Sequence, residues 1–412
     1  MTPAADPDRL SCRIETLAGF NDTPGAGVTR FTFSEMDRRA RDYLCGEIER
    51  AGLAIRTDGI GNIFARLEGS NPDLPPVMSG SHIDSVPRGG KYDGVVGVVC
   101  ALEALEIIQA EGIVPGRPLE LVIFSEEEGP NFGSPLAGSK ALTGVYTPEI
   151  LKTLVNDRGI SMYQAAKTAG YDPDSLSAHP MKPGDVHAMI EVHVEQSIVL
   201  DSEGISLGVV TGIAGMRWVK VTLQGQPNHA GATPMNYRHD PMAGAAELIS
   251  AAERTAHEAG PTAVATAGKI LCDPNVPNVI PASVELSLDL RDVNREKMDW
   301  MLERLEAETE KICNRRGLEY DWSVAGRTEP SACSPRIMDA LKDAAKDRGI
   351  ECMEMTSGAL HDTAVLAALT EIGMLFVPSI GGRSHVPEEN TSICDIANAA
   401  NVLTDALIRL ST

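Results

Sequence analysis

Long apolar runs are missing from this chain. Nowhere do roughly 18 consecutive apolar residues occur, the length a membrane-crossing helix needs. The opening stretch MTPAADPDRLSCRIETLAGF has no basic segment followed by an apolar one, so a soluble, non-exported, cytoplasmic protein is expected. Ordered cysteine spacing is missing too. Cys12, Cys45, Cys100, Cys272, Cys313, Cys333, Cys352 and Cys394 form no C-x-x-C pair, which argues against a disulfide scaffold or a thiolate zinc site. They read as buried thiols in a reducing compartment. Basic charge is short: 36 Lys and Arg stand against 58 Asp and Glu, a formal charge of −22 with no basic tract. Such a surface repels nucleic acid and anionic membrane, leaving small molecules and cations as the expected partners. Internal repeats and low-complexity segments are also lacking.

What is present is an ordinary globular composition, 43% hydrophobic, over 412 residues, enough for two or three domains with ample core. In the first half, helix and strand patterns alternate. SEMDRRARDYLCGEIERAG (34–52) reads as an amphipathic helix capped by Ser34 and stopped by Gly52, and LAIRTDGIGNIFARLEG (53–69) as a hairpin. PVMSGSHID (76–84), DGVVGVVCALEALEIIQAEG (93–112) and PLELVIFSEEEG (118–129) follow as strand, helix and strand. This alternation predicts a mainly parallel sheet with helices on both faces. Near Gly212 the pattern changes. The strand MRWVKVTLQGQ, the long helix DPMAGAAELISAAERTAHEAG, the strand SVELSLDLRDV and the helix REKMDWMLERLEAETEKICNRRG suggest an inserted α+β unit. After Pro330 the earlier alternation resumes and runs to a final helix, DIANAANVLTDALIRL.

The candidate chemistry gathers where strands should end. LELVIF runs directly into Ser125, Glu126, Glu127 and Glu128, and open α/β sheets bind ligands at strand ends. Three adjacent carboxylates are either a solvated loop or a group that something cationic holds. The histidines bear on that choice. His82 stands in GSHIDSVPRGGKYDGVVG at the end of an apolar strand, with Asp84 two residues on and Asp93 eleven residues on. His193 lies in the strand pattern AMIEVHVEQSIVLD, flanked by Glu191 and Glu195. His385 follows an apolar strand and a glycine pair in FVPSIGGRSHVPEEN. Together with Asp93 and the glutamates they offer the imidazole and carboxylate ligands that Zn²⁺, Mn²⁺ and Co²⁺ prefer. His179, His187, His239 and His257 lie in polar loops or a helix and are read as structural.

With GSHIDSVPRGGKYDGVVG, FSEEEGPNFGS, EVHVEQ, GQPNHAGATPM, NVIP, LDLR, SGALHD and GGRSHVPEE in this order, the chain resembles the zinc-dependent amidohydrolases of the M20 metallopeptidase clan. These include N-carbamoyl-L-amino acid hydrolases, β-ureidopropionases and allantoate amidohydrolases, and the resemblance covers essentially the whole chain. It implies an α/β fold: a mainly parallel-sheet, metallopeptidase-like catalytic domain (1–212 and 330–412) with an inserted α+β dimerisation domain (213–329). It implies two divalent metal ions per subunit, zinc first, with manganese, cobalt or nickel as substitutes. Asp93 would bridge them, His82 and His193 completing one position, Glu128 and His385 the other. Glu127 would be the general base, and Asp84 would orient the His82 imidazole, a helix or turn cap being its alternative. In a homodimer, His229 and Asn278 of the inserted domain would reach the partner's active site to stabilise the oxyanion. Arg291 would grip the substrate carboxylate, and Gln196 would touch substrate. His361 would lie near the pocket, where a cap or core role is the alternative. The His82-to-Asp93 spacing, and a histidine rather than a carboxylate at position 193, match the ureido-amide branch rather than the peptidases.

The chain departs from the family's pattern at three places. SGALHDT puts Leu360 where SGAGHDA has a glycine, GGRSH puts Arg383 before the last ligand where GISH is usual, and Met216 replaces a frequent glutamine. Arg383 is expected either to read a second anionic group or to face solvent. The implied reaction is hydrolysis of an N-carbamoyl (ureido) amino acid to amino acid, ammonia and carbon dioxide. Allantoate, or an N-acyl amino acid or dipeptide, is the alternative substrate. A catalytically silent metal-bearing binding protein is the alternative of a different class, against which the intact Glu127 argues.

Overall fold

The computed structural model describes residues 4–177 and 180–412, so His179 lies outside the described residues. The chain divides into two compact units. One comprises the residues up to Thr211 with Cys333–Met355 and His361–Thr412, the other Gly212–Ala332 with Thr356–Leu360.

The first unit is built on β1 (Ala54–Thr57), β2 (Ile63–Leu67), β3 (Val77–His82), β4 (Leu119–Phe124), β5 (Ala188–Val194) and β6 (Leu207–Ile213). The second unit contains β7 (Gly215–Gln224), β8 (Asn228–His229), β9 (Val264–Asp273), β10 (Val279–Ile280), β11 (Ser283–Asp292) and β12 (Glu319–Thr328). After it come β13 (Ser331–Ala332), β14 (Cys352–Ser357) and β15 (Glu371–Val377). The large sheet has the order β1-β2-β4-β3-β5-β15-β6-β13, with β14 also on β6. Its centre is parallel, β4 and β5 on either side of β3 and β15 on β5, while β1, β2 and β6 pair antiparallel at the flanks. Every residue of β3, β4 and β5 is buried, which is why LELVIF and AMIEVHV read as near-continuous apolar runs rather than alternating ones.

Helix Val95–Ala110 is apolar on almost every side and buried accordingly. Its Glu103 accepts from Arg9 (Nε 2.7 Å, Nη2 2.6 Å) and from the buried Arg13 (3.3 Å). Arg13 also reaches Glu47 at 2.9 Å and Glu106 at 2.5 Å. These pairs tie helix Pro7–Gly19, capped by Asp6, to the core, and the backbone N–H of Ala5 donates to Asn401 Oδ1 at 2.7 Å on the last helix, Ile393–Leu410. Among the described residues, no helix is long and apolar enough to cross a membrane. All eight cysteines are free. Cys12 and Cys394, expected to be buried, are exposed because each falls on the outer side of a terminal helix.

The second unit is an antiparallel sheet, β12-β7-β11-β9, with helices Pro241–Ala259 and Arg295–Arg316 packed on it. Strand β11 alternates strictly: Val284, Leu286, Leu288 and Leu290 are buried, and Ser287, Asp289 and Arg291 lie on the other face. Strands β8 and β10 form a separate short ribbon, His229 opposite Val279. The expected architecture, a mostly parallel α/β sheet with a separate antiparallel unit, is the one observed. The edge strands β9 and β12 escape sequence pattern because most of their residues are exposed and mix polar with apolar side chains.

Candidate metal centre

The C-terminal ends of β3, β4 and β5 and the loop after β15 deliver the candidate ligands to one place. Asp93 stands at the middle. Its Oδ1 lies 3.5 Å from His82 Nε2 and 3.3 Å from His193 Nε2, and its Oδ2 lies 3.3 Å from His385 Nε2. Glu128 Oε1 is 3.5 Å from His385 Nε2. Thus His82, Asp93 and His193 form one group, and Asp93, Glu128 and His385 a second, with all donor atoms of each within 4.8 Å of one another.

These separations test the fit to a cation. Two ligands each about 2.0–2.1 Å from a shared tetrahedral ion lie about 3.4 Å apart. The side-chain tautomers agree. His82 Nδ1 donates to the Asp84 carbonyl (3.1 Å) and His193 Nδ1 to the Val194 carbonyl (2.9 Å), so the Nε2 of each ring is an acceptor; that of His193 accepts from the Gly94 N–H at 3.1 Å, a bond an ion would displace. Room for the His82 ring depends on Gly94, which has φ +66° and where a Cβ would come within 2.5 Å of the imidazole. Among the described residues no cysteine joins these groups, so the donor set is imidazole and carboxylate, suited to zinc-like divalent ions.

Asp84 is buried and works on the backbone: its Oδ1 accepts from the Glu127 N–H (3.2 Å) and its Oδ2 from the Glu128 N–H (3.1 Å). It therefore sets the turn that carries both glutamates, while its Oδ1 stands 3.7 Å from His82 Nδ1. Glu127 Oε2 lies 3.6 Å from His82 Nε2. Burial, and repulsion from Glu128, hold the Glu127 carboxyl well above the usual carboxylate range, although His82 opposes this. Burial likewise pushes Glu128 up to about 7, with Asp93 adding repulsion. Burial would raise Asp93, but His193, His385 and His82 outweigh it and hold the group far down. His385 is pushed up to about 9, first by its hydrogen bond to Asp93. Glu126, for which solvation was one of two expectations, is fully buried, and burial pushes it up to about 8, with Asp84 adding repulsion.

Gln196 Nε2 donates to Asp93 Oδ2 at 2.8 Å and stands 3.3 Å from His385 Nε2. His361 is buried with its ring edge-on to His193 at 4.6 Å between centroids; burial, then His193, holds it well below the usual imidazole range. Glu191, His193 and His361 form a further close group. Glu191, however, is taken up by Ser81 Oγ (2.7 Å), Thr363 N–H (3.1 Å) and Thr363 Oγ1 (2.6 Å), so it braces β5 rather than offering an open ligand. Arg383 is 58% exposed, with Glu388 4.0 Å away. His187 and His239 are held by Arg336 and the Arg316 carbonyl, consistent with structural roles.

In the second unit, His229 Nδ1 accepts from the N–H groups of Gly231 (3.0 Å) and Ala232 (3.2 Å). With Nδ1 the acceptor, Nε2 is the ring nitrogen left to donate, on an exposed ribbon. Asn278 is exposed beside it, its carbonyl accepting from Ala230 at 3.0 Å. Arg291 is gripped by Asp289 through two parallel bonds, Nε to Oδ1 at 2.9 Å and Nη2 to Oδ2 at 3.0 Å, and gives Nη1 to the Gly358 carbonyl at 3.0 Å. Arg291, Asp289, Trp218, Thr266 and Ser287 line a cavity of about 570 Å³. A larger cavity of about 750 Å³, between Phe31, Phe33, Asn131 and Asn156 of the first unit, contains none of the candidate residues.

Sequence reasoning gave no role to Ser384, Glu389, Glu191 (named only as a neighbour of His193) and Asp289. A carboxylate inside an otherwise apolar strand, as in AMIEVHV, and a charge two places from an arginine in LDLR are the signals that could have found the last two.

Fold and donor set together define a hydrolase built around a cation-binding centre at the ends of parallel strands. Residues 78–409 match the peptidase family M20/M25/M40. The chain is 41% identical over 396 residues to an N-carbamoyl-L-amino acid amidohydrolase of Geobacillus stearothermophilus, covering 96% of each. It is 38% identical to a ureidoglycolate hydrolase of Oryza sativa subsp. japonica, covering 98% of this chain and 85% of that one. Among solved structures, an amidase of the hydantoinase/carbamoylase family from Burkholderia multivorans superposes with a TM-score of 0.94 at 32% identity, covering 99% of this chain and 98% of that one. The chain belongs to the M20 peptidase family, within its amidohydrolases of N-carbamoyl-L-amino acids, allantoate and ureidoglycolate, which act on C–N bonds.

Proposed function

We propose that this chain hydrolyses the linear ureido C–N bond of an N-carbamoyl-L-amino acid, yielding the amino acid, ammonia and carbon dioxide, with two divalent metal ions per subunit. The observation that carries the reading is the buried Glu127 carboxyl beside two ligand groups that share Asp93. His82, Asp93 and His193 would hold one ion, and Asp93, Glu128 and His385 the other, zinc first. Such ions, when bound, supply a nucleophilic water at neutral pH and polarise the carbonyl. Glu127 would act as the general base, accepting a proton from the attacking water and returning it to the departing nitrogen. His229, through its Nε2–H, donates to the developing oxyanion together with Asn278, acting across a homodimer. Arg291, pre-oriented by Asp289, receives the substrate carboxylate on its remaining N–H groups. Gln196 and His361 contact the substrate from the metal side, and Arg383 reads any second anionic group it bears.

The likeness to a ureidoglycolate hydrolase favours a second reading, in which the ureido acid is a smaller hydroxylated one; allantoate belongs to the same chemical class. One assay separates these: ammonia release from N-carbamoyl-L-amino acids, carbamoyl-β-alanine, ureidoglycolate and allantoate, with and without a chelator. The expected result is fastest release from a carbamoyl-L-amino acid, abolished by the chelator and restored by added zinc, manganese or cobalt. Undiminished turnover by protein shown metal-free by elemental analysis would sink the metal mechanism. Faster release from ureidoglycolate or allantoate would replace the substrate.

A further inference from the structure

Glu389 is buried, four residues past His385, and no role has been assigned to it so far. Its Oε1 accepts from two consecutive backbone N–H groups, Tyr92 at 2.9 Å and Asp93 at 3.0 Å. Its Oε2 lies 3.0 Å from Ser384 Oγ, which is also 3.0 Å from Asp93 Oδ2. One carboxylate thus joins the segment bearing Asp93 to the loop bearing His385. The space it fills is kept open by Gly90, where a Cβ would fall 2.2 Å from Glu389 Oε1. That loop has a reason to need holding: His385 sits at φ +59°, a left-handed conformation that a residue with a Cβ adopts only when its surroundings impose it. The Glu389 N–H closes a turn back to the Val386 carbonyl at 3.1 Å, so the clasp and the strained ligand belong to one short segment.

We propose that Glu389 is a positioning residue of the metal centre, clasping the Tyr92–Asp93 backbone and Ser384 so that His385 meets Asp93 at the spacing a second ion requires. The inference rests on the two-ion reading above. Without the clasp, His385 relaxes from its left-handed conformation and the group Asp93, Glu128 and His385 opens, while His82 and His193, held by their own carbonyl acceptors, keep their places with Asp93. The effect is therefore larger at that position than at the other, to which the clasp contributes only through Asp93. It follows from geometry, so a neutral glutamine should serve: its Oε1 can accept both N–H groups and its amide can donate to Ser384, whose hydroxyl then donates to Asp93.

The test titrates demetallated protein with cobalt(II), counting ions by elemental analysis and reading each position from the visible absorbance. Wild type should take two ions. Glu389→Ala should take one with a much smaller loss and the second about 10–100-fold more weakly, the usual range for a lost partner of a metal ligand. Glu389→Gln should take both like wild type. Ser384→Ala, which removes one strand of the clasp and little bulk, should weaken the second ion in the same direction by less, and serves if Glu389→Ala fails to fold. Two ions of wild-type affinity in folded Glu389→Ala, or in Ser384→Ala if Glu389→Ala does not fold, would overturn the clasp. So would a Glu389→Gln variant as impaired as Glu389→Ala. Wild type that binds fewer than two ions would overturn the two-ion reading itself, which is a different result from either.

Discussion

The metal end of the first unit and the outer face of the inserted unit hold their candidate residues in opposite ways. At the metal end His82, Asp84, Asp93, Glu127 and His193 are buried; His82, Asp84 and His193 are fixed by backbone partners, and the protonation of His82, Asp93 and Glu127 is strongly displaced by burial and by neighbouring charges. In the inserted unit His229 and Asn278 are exposed on a two-residue ribbon, and Arg291 is half-buried on the polar face of a strand. There His229 owes its orientation to its sequence neighbours Gly231 and Ala232, and Arg291 to Asp289 two places away and to the Gly358 carbonyl. Dense burial suits groups that must repel one another until a cation arrives. Open placement suits donors that meet a substrate arriving from solvent.

The comparison is broken most forcefully at Glu127. Glu127→Gln keeps the size of the side chain and removes the proton acceptor, so kcat should fall by roughly 10²–10⁴, with the bound metal unchanged by elemental analysis. Loss of metal would instead make Glu127 a ligand. Next in size is His229→Ala, for which a fall in kcat of about 10²–10³ is expected. Mixing it with Glu127→Gln subunits should restore activity once subunits exchange; exchange without recovery would put His229 to work within its own chain or not at all. Asp84→Asn should weaken metal binding or turnover about 10–100-fold, since one amide oxygen replaces two carboxylate oxygens that accept from separate N–H groups; a wild-type metal titration would leave the turn self-supporting. The smallest effect belongs to the open region. Asp289→Asn loosens Arg291 by about one hydrogen bond, about 1 kcal/mol, so KM should rise about fivefold with kcat kept. A fall in kcat alone would show that Arg291 acts on the transition state rather than on binding.

The same contrast explains what the sequence made legible. Parallel strands buried on both faces write themselves as apolar runs, so β4 and β5 could be placed from LELVIF and AMIEVHV, whereas β3, VMSGSH, is half polar, and the ligand set came from the family's motifs rather than from the runs. The inner face of β11 was equally plain, because its leucines alternate. Strands β9 and β12 were hidden because an edge strand with solvent on most of its residues needs no apolar period. Which of Glu126, Glu127 and Glu128 does what could not come from their order, since adjacent residues on a turn diverge; only the fold sends Glu126 into the interior. The clasp of Glu389 on Tyr92 spans 297 positions, a separation no local pattern encodes.

A separation of 396 positions joins Ala5 to Asn401, and it imposes an order in time. During synthesis the helix Pro7–Gly19 emerges before the inserted unit, yet the side chain that receives the Ala5 N–H is made only after it. Its arginines can meet Glu47 and then Glu103 while the chain is still growing, whereas its final anchor must wait for the helix Ile393–Leu410. The inserted unit, nearly all of it one continuous stretch, has no such wait and can close on its own strands well before the ribosome has finished. A nascent chain halted before Ile393 should therefore carry a protease-resistant inserted unit and a first helix still open to cleavage.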